Sequence, residues 1–186
     1  RPTPPPVAPR AGGSAASCPV CAPRARGSPG WRGTVGVAAS VNWPTGVGGR
    51  GNEGVSGLVK QTPGAIGYVE LIYALQNKIA YGSVLNASGE TIKASVASVT
   101  AAAAEASTGL PADFRVSITN APGKGVYPIS SFTWLLLYEN AKDKAQAKVM
   151  VDFMKWALTD GQKFAPELGY APLPDAVVKL EMAALA

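Results

Sequence analysis

The sequence predicts a layered α/β domain, and three observations lead to that class. Apolar runs of strand length, such as residues 65–69 and 129–138, alternate along the chain with segments whose apolar residues recur at helical spacing. The clearest helix follows Asp143 and carries a stripe that includes Val149 and Phe153. The chain has 186 residues, 47% hydrophobic and 16% charged, and no apolar run reaches the roughly 18 residues that cross a bilayer.

The first elements follow from local signals in residues 35–61. Residues 35–42 predict a strand, and a glycine loop from Pro44 to Gly54 comes after it. Asn52 is the predicted N-cap of a helix, because Val55 and Leu58 follow it at helical spacing.

The later elements rest on the same kinds of signal. In chain order they are a turn at 62–64, a buried strand at 65–69, a helix at 71–80, a polar turn at 86–89, a helix capped by Ser95, a half-buried strand at 114–118, a strand at 129–138 covered on both faces, a helix capped by Asp143 and ended by Gly161, and a closing helix with Pro174 in its first turn.

Charge and proline are concentrated at one end of the chain. Residues 1–30 hold 8 of the 16 prolines, both cysteines, four of the 17 basic residues and none of the 12 acidic ones. The first 30 residues therefore carry most of the formal charge of +5. We expect a disordered basic tail, residues 1–27, beside a nearly neutral body that offers no face for a nucleic acid.

The absence of histidine excludes many enzyme classes. Without it the chain has no Ser-His-Asp triad, no Cys-His pair and no His-metal site. No other nucleophile has a positioned base, so the sequence predicts neither an enzyme nor a cofactor.

Three further features each admit a functional and a structural interpretation. Cys18 and Cys21 form a CxxC pair, which is typical of redox or metal sites, but no second pair or helix-forming context accompanies it. The loop Gly46–Gly51 resembles a phosphate-cradling loop before a helix, yet a tight structural turn explains it as well. Glu70 is either a buried acid or an exposed strand-end carboxylate.

The four tryptophans are dispersed along the chain. They can form a stacking platform for sugars or bases, but core packing is the simpler expectation for them. They are Trp31, Trp43, Trp134 and Trp156.

Several blocks in the body occur together in a consistent order. They are Ser28-Pro-Gly-Trp31, Ser40-Val-Asn-Trp-Pro-Thr-Gly-Val-Gly-Gly-Arg-Gly-Asn-Glu-Gly54, Gln61-Thr-Pro-Gly-Ala-Ile-Gly-Tyr-Val-Glu70, Tyr127-Pro-Ile-Ser-Ser131 and Leu168-Gly-Tyr-Ala-Pro-Leu-Pro174. In this order they resemble the periplasmic phosphate-binding proteins of ABC phosphate transporters. The resemblance covers about residues 28–186 and only the C-terminal part of such a protein.

The resemblance implies a two-lobed α/β fold of the type II periplasmic-binding-protein kind, present here incompletely. Residues 28–127 would form the latter part of the second lobe, and residues 128–186 would contain the hinge crossing and the return to the first lobe. Apolar residues 134–137 and 149–158 would then lack their first-lobe partners, so the chain is expected to associate or aggregate when alone.

The resemblance also implies phosphate ligands near the start of the chain. The family's second-lobe motif reads Arg-Ser-Asp-Gly-Ser-Gly-Thr, and the corresponding stretch here is Arg10-Ala-Gly-Gly-Ser-Ala-Ala16. Arg10 and Ser14 are the matching candidate ligands. The Asp and Thr of the motif are replaced, and a proline-containing stretch follows in place of a helix. A reading-frame error in G+C-rich DNA is one hypothesis for residues 1–27.

The implied function is capture of inorganic phosphate and its delivery to the permease of an ABC importer. The resemblance further implies a periplasmic, monomeric protein without metal or cofactor, whose phosphate binding is impaired here because part of the cleft is missing. The alternative is a structural or interaction domain that uses the proline-rich basic tail to bind a partner. A pull-down that fails after deletion of residues 1–27 would favour this alternative.

Overall fold

The computed structural model describes residues 7–10, 29–34, 43 and 46–185. The chain divides into two compact units, Arg1–Ser83 and Val84–Ala186. Among the described helices, none combines the length and apolarity that a membrane span requires.

The first unit pairs two short parallel strands with helices. Its described elements are β1 (Val7–Arg10), α1 (Pro29–Thr34), β2 (Val47–Arg50), α2 (Gly51–Gln61) and α3 (Leu71–Gln76). β1 and β2 are parallel. Parallel pairing joined to helices is the pattern of α/β proteins, as the sequence predicts.

Helix α2 begins directly after β2 and buries one face. Val55 and Ser56 are its buried residues, and Lys60 lies in its last turn. The predicted N-cap is wrong. Arg50 holds the N-cap position without a side-chain cap, and Asn52 is the second residue of the helix, where its Oδ1 accepts a hydrogen bond from the backbone N–H of Glu70 at 3.0 Å. Asn52 thus joins α2 to the start of α3.

The second unit is mainly helical. Its elements are β3 (Ser83–Leu85, which begins at the unit boundary), β4 (Thr91–Lys93), α4 (Val96–Ala106), α5 (Lys144–Leu158) and α6 (Asp175–Ala184), with 3₁₀ turns at Ser107–Gly109 and Asp160–Phe164. β3 and β4 form a two-stranded sheet around the predicted turn at residues 86–89.

The core of the second unit lies between α4 and the loop that follows it. Ala102, Ile118, Ala121 and Val126 form the buried cluster, and Ile118 is only 2% exposed. Partly buried apolar side chains, among them Phe132, pack against this cluster.

Two predicted helix caps are confirmed. Ser95 Oγ accepts a hydrogen bond from the backbone N–H of Ser98 at 3.1 Å, and Ser98 Oγ accepts one from the backbone of Ser95 in return, which completes a capping box. The Asp143 carboxylate accepts from the N–H groups of Ala145 and Gln146. Both caps satisfy N–H groups that the helix itself leaves unpaired.

Three predicted strands are absent: residues 65–69, 114–118 and 129–138 have no strand structure. Phe114 has φ = 58°, which no β-strand permits, and Ile66 is 74% exposed. A strand requires a neighbour for its backbone hydrogen bonds, and the described part of the chain supplies none to these segments. The predicted strand at 35–42 lies outside the described residues.

Two helices end earlier than predicted. The helix expected over 71–80 stops at Gln76, and Lys78, just beyond its C-cap, has φ = 53°. α5 stops at Leu158 with Thr159 as its C-cap, before Gly161. Pro174 is the N-cap of the closing helix and does not lie in its first turn.

Candidate functional site

Arg10, the first candidate ligand, is the last residue of β1. In the parallel register its backbone lies opposite Arg50, the last residue of β2. The carboxyl ends of the two strands therefore carry an arginine each, next to the start of α2. For Arg10 only the backbone is described. Ser14, Cys18 and Cys21 lie outside the described residues.

The passage from β2 into α2 is packed tightly at Gly49. A Cβ atom on Gly49 would lie 2.7 Å from the backbone nitrogen of Val55 and 2.8 Å from the carbonyl carbon of Gly54. No side chain fits there, so the strand and the first turns of the helix are in direct backbone contact. The glycine loop thus has the structural role that the sequence left open.

The first turn of α2 carries its own anion. Glu53 lies in that turn and accepts a hydrogen bond from the Tyr73 hydroxyl at 2.8 Å. A hydrogen bond from its own backbone N–H, together with the Tyr73 bond, lowers the pKa of Glu53 below its ordinary value. The carboxylate is favourable there because it faces the positive end of the helix dipole.

Helices α2 and α3 enclose an open groove of about 640 Å³. Its lining is polar and includes Glu53, Lys60, Tyr73 and Asn77. One carboxylate, one ammonium group and several side-chain amides line it, and the amides can both donate and accept hydrogen bonds. These groups can hydrogen-bond a small polar molecule.

A second polar cluster lies in the other unit, around Asn86. Its Oδ1 accepts from the backbone N–H groups of Ser88 at 3.0 Å and Glu90 at 2.9 Å, and its Nδ2 donates to the Val126 carbonyl at 3.2 Å. Glu90 Oε2 accepts from the N–H of Gly125 at 2.7 Å. These bonds attach the β3–β4 turn to the loop before Tyr127. The cluster is structural, because both ends of the Asn86 amide are used in hydrogen bonds within the chain.

The remaining sequence candidates have separate outcomes. Glu70 is exposed, so the buried-acid interpretation is wrong. Trp134 and Trp156 are each close to half exposed and are not core residues in this chain, whereas Trp43 is half-buried with its ring centroid 6.1 Å from that of Tyr68. Within the described ranges no group of three metal-ligating side chains comes together.

Comparison with known families decides the fold class. Residues 30–160 match the model of the PBP superfamily domain, which is most of the chain. The chain belongs to the PBP superfamily. The predicted fold class, an incomplete α/β fold of the periplasmic-binding-protein kind, is thereby confirmed, and so is the resemblance from which it was drawn.

Several curated relatives of this PBP-superfamily chain share one name. The Phosphate-binding protein PstS of Xylella fastidiosa is 49% identical over 149 residues, which are 80% of this chain and 41% of that protein. The protein of the same name from Pasteurella multocida is 40% identical over 149 residues, 80% of this chain and 43% of the relative. The one from Methanocaldococcus jannaschii is 40% identical over 174 residues, 83% and 44% of the two proteins.

The chain therefore spans about two fifths of the length of the curated relatives that it matches. These relatives are named as binding proteins and not as enzymes, in agreement with the absence of a catalytic constellation in the sequence.

Sequence reasoning missed the roles of two asparagines, one in each unit. Asn52 and Asn86 each accept hydrogen bonds from backbone N–H groups. The hydrogen bond from the Ser88 N–H to Asn86 Oδ1 closes an Asx turn. An asparagine at the start of a predicted polar turn is a local signal for such a bond. The Asn52 bond to Glu70 spans 18 residues and has no local signal.

Proposed function

We propose that this chain is a fragment of a solute-binding protein that captures inorganic phosphate and delivers it to an ABC-type phosphate importer. The observation that carries the proposal is the name that its relatives share, phosphate-binding protein, at 40–49% identity over about four fifths of this chain. The periplasm is the proposed location, and the permease subunits of the importer are the proposed partners.

Arg10 and Ser14 are the proposed phosphate ligands. A guanidinium donates two parallel N–H groups to oxyanions, and a serine hydroxyl donates one more hydrogen bond. The position of Arg10 at the carboxyl end of a parallel strand supports this role, because open α/β folds bind ligands beyond those strand ends. The register with Arg50 adds a second cationic residue at the same edge.

Phosphate binding by the 186-residue chain alone is expected to be weak. A dehydrated phosphate ion needs donors on all sides to replace its water, and a chain that spans two fifths of its relatives supplies only some of them. The remaining donors would also have to be held in place before the ion arrives, since ordering them on binding reduces affinity.

Titration calorimetry with inorganic phosphate tests the proposal on two proteins. The first is the intact chain, for which we expect no tight binding. The second is the same chain preceded by the portion of the Xylella fastidiosa relative that it does not match. We expect phosphate binding there, with sulfate as the competing oxyanion.

Arg10→Ala in the joined protein is expected to weaken phosphate binding by at least about tenfold, since a hydrogen bond to a charged group contributes about 1.5–3 kcal/mol. Arg115→Ala is the matched control, because the Arg115 side chain is exposed and pairs with the exposed Asp113 carboxylate at 3.7 Å. Tight binding by the intact chain would contradict the impairment. Failure of the folded joined protein to bind phosphate would refute the function.

A further inference from the structure

The groove between α2 and α3 lies wholly within the first unit. Its lining residues recur at helical spacing on each helix, so one face of α2 and one face of α3 form its two walls. They are Glu53, Gly57, Lys60 and Gln61 on α2, and Tyr73, Gln76 and Asn77 on α3 and at its C-cap. The volume of about 640 Å³ falls within the range of roughly 300–1,000 Å³ that small-molecule sites occupy.

The α2 wall carries opposite charges at its two ends. Glu53 and Lys60 are seven residues apart, which is about 10.5 Å along the helix axis. Hydrogen bonds from its own backbone N–H and from the Tyr73 hydroxyl lower the pKa of Glu53, so this end is anionic at neutral pH. Lys60 is exposed, and the ion pairs in the described part of the chain do not include it. A ligand that satisfies both ends has a cation and an anion about 10 Å apart.

This charge arrangement does not suit inorganic phosphate. The Glu53 carboxylate would repel the anion, and the single ammonium group of Lys60 would replace only a small part of its water. The lining also does not include Arg10, the proposed phosphate ligand. The groove is therefore a candidate site for a different ligand, and its interpretation makes no use of the proposed function.

Apart from the charged ends, the groove offers amide groups and an open stretch of helix backbone. The side-chain amides of Gln61, Gln76 and Asn77 can each donate and accept hydrogen bonds, as peptide groups do. Asn77 Nδ2 donates to the Tyr73 carbonyl at 3.0 Å, which holds this amide in place. A Cβ built on Gly57 would meet no atom within 4 Å, so the backbone of a ligand can come close to α2 there.

Two hydrogen bonds hold the walls of the groove together. Asn52 Oδ1 accepts from the backbone N–H of Glu70 at 3.0 Å, and Glu53 Oε1 accepts from the Tyr73 hydroxyl at 2.8 Å. Both bonds run from α2 to α3 or to the residue just before it. The walls are thus in position before a ligand arrives, which reduces the cost of ordering them on binding.

A short peptide with free termini has the groups that this groove requires. Its termini are a cation and an anion at pH 7, and three residues of extended chain span about 10–11 Å, close to the separation of Glu53 and Lys60. We propose that the groove binds such a peptide of about three residues, with its amino terminus at Glu53 and its carboxylate at Lys60. The amides of the groove pair with its peptide groups. Because these contacts are open to water, the expected dissociation constant is on the order of 1 mM.

Saturation-transfer difference NMR on the intact chain, with triglycine as the probe, tests the proposal. The method observes the ligand, so it detects weak binding to associated as well as monomeric protein. We expect triglycine to bind at pH 7. We expect triglycine that is acetylated at its amino terminus and amidated at its carboxyl terminus to bind at least about fivefold more weakly, because it has neither charge.

Glu53→Gln and Lys60→Gln test which terminus each end of the groove binds. Glu53→Gln should weaken triglycine binding at least about threefold and leave the binding of acetylated triglycine unchanged, since that probe has no cation. Lys60→Gln should likewise weaken triglycine binding and leave the binding of triglycine amide unchanged. Glu70→Gln and Lys78→Gln are the matched controls, because both residues are exposed in the first unit and lie outside the groove lining.

Gly57→Phe should abolish binding, because the ring would occupy the open space of the groove. Gly82→Phe is its control, since a side chain there also enters open space in the first unit but outside the groove. The two glutamine variants keep the test decisive if Gly57→Phe does not fold, because they conserve the shape of the side chain.

Equal binding of triglycine and its doubly blocked form would overturn the proposal, as would unchanged binding by a folded Gly57→Phe variant. The absence of saturation transfer from the folded chain at several times the expected dissociation constant would also overturn it. Tighter binding of doubly blocked pentaglycine than of triglycine would do the same, because the groove would then accept an internal segment of a partner protein. None of these outcomes depends on phosphate, so they leave the proposed function as it stands.

Discussion

The substitution Asn86→Asp isolates one buried donor. Asn86 is 6% exposed, and its Nδ2 donates to the Val126 carbonyl at 3.2 Å, with Glu90 Oε2 at 3.4 Å and the Gly123 carbonyl at 3.5 Å. Aspartate has the same shape and retains the two bonds that Oδ1 accepts from Ser88 and Glu90. The substitution therefore removes only the donor and adds a negative charge.

The expected loss of stability follows from those distances. Only the bond to the Val126 carbonyl is within the normal range, so one net hydrogen bond is lost, and the buried carbonyl is left without it. Together these effects are expected to lower the free energy of unfolding by about 2–3 kcal/mol. The new carboxylate also faces the Glu90 carboxylate, which adds repulsion at neutral pH.

Urea unfolding followed by circular dichroism at pH 7 and pH 4 measures this loss, and Asn140→Asp on the exposed surface is the control. Burial beside another carboxylate favours the neutral form of the new group, so lowering the pH from 7 to 4 increases the protonated fraction, which can donate again. The difference between the two variants should therefore shrink at pH 4. Equal stability of both variants at pH 7, or a larger difference at pH 4, would refute the reasoning.

Three further outcomes follow from the described geometry. Gly49→Ala should destabilise the first unit by about 2 kcal/mol, because the added Cβ would clash with the backbone of Gly54 and Val55. Gly57→Ala has open space around its Cβ and should stabilise the unit by about 0.5–1 kcal/mol. Thermal unfolding of the two variants distinguishes these outcomes. Ser95→Ala should reduce stability by about 1 kcal/mol through loss of the capping box, and unchanged urea unfolding would contradict the cap. Burial raises the pKa of Tyr127 above its ordinary value of 10.0. The contribution of Tyr127 to the free energy of unfolding is therefore fully present below pH 10 and is lost as the pH rises beyond it. Tyr127→Phe should remove part of that alkaline loss, and parallel alkaline stability profiles of the two proteins would contradict the prediction.

The caps and turns were predictable because their causes lie within a few residues. Ser95 and Asp143 hydrogen-bond to N–H groups two or three positions away, and the turn at residues 86–89 closes on itself. The strands were not predictable by the same means. The apolar run at 134–137 reads as a strand from its composition, but a strand exists only where another supplies its hydrogen bonds, and composition does not reveal whether that neighbour is in the chain.

The candidate site was predictable only in part, for a related reason. Arg10 was identified by resemblance, and its place opposite Arg50 depends on strand pairing across 40 residues. The bond from the Tyr73 hydroxyl to Glu53 likewise joins residues that are distant in sequence. Such contacts follow from packing and have no periodic pattern to indicate them.

The hydrogen bonds of Asn86 bear on the choice of expression host. Asn86-Ala-Ser88 has the Asn-x-Ser pattern that secretory cells of eukaryotes glycosylate while the chain is still unfolded. In the folded unit the amide nitrogen of Asn86 already donates to the Val126 carbonyl inside the protein, which leaves no room for a sugar. A glycan attached during secretion would therefore keep the β3–β4 turn from docking. Production in a bacterial host, or as the secreted Ser88→Ala variant, avoids glycosylation of Asn86 and lets the turn dock.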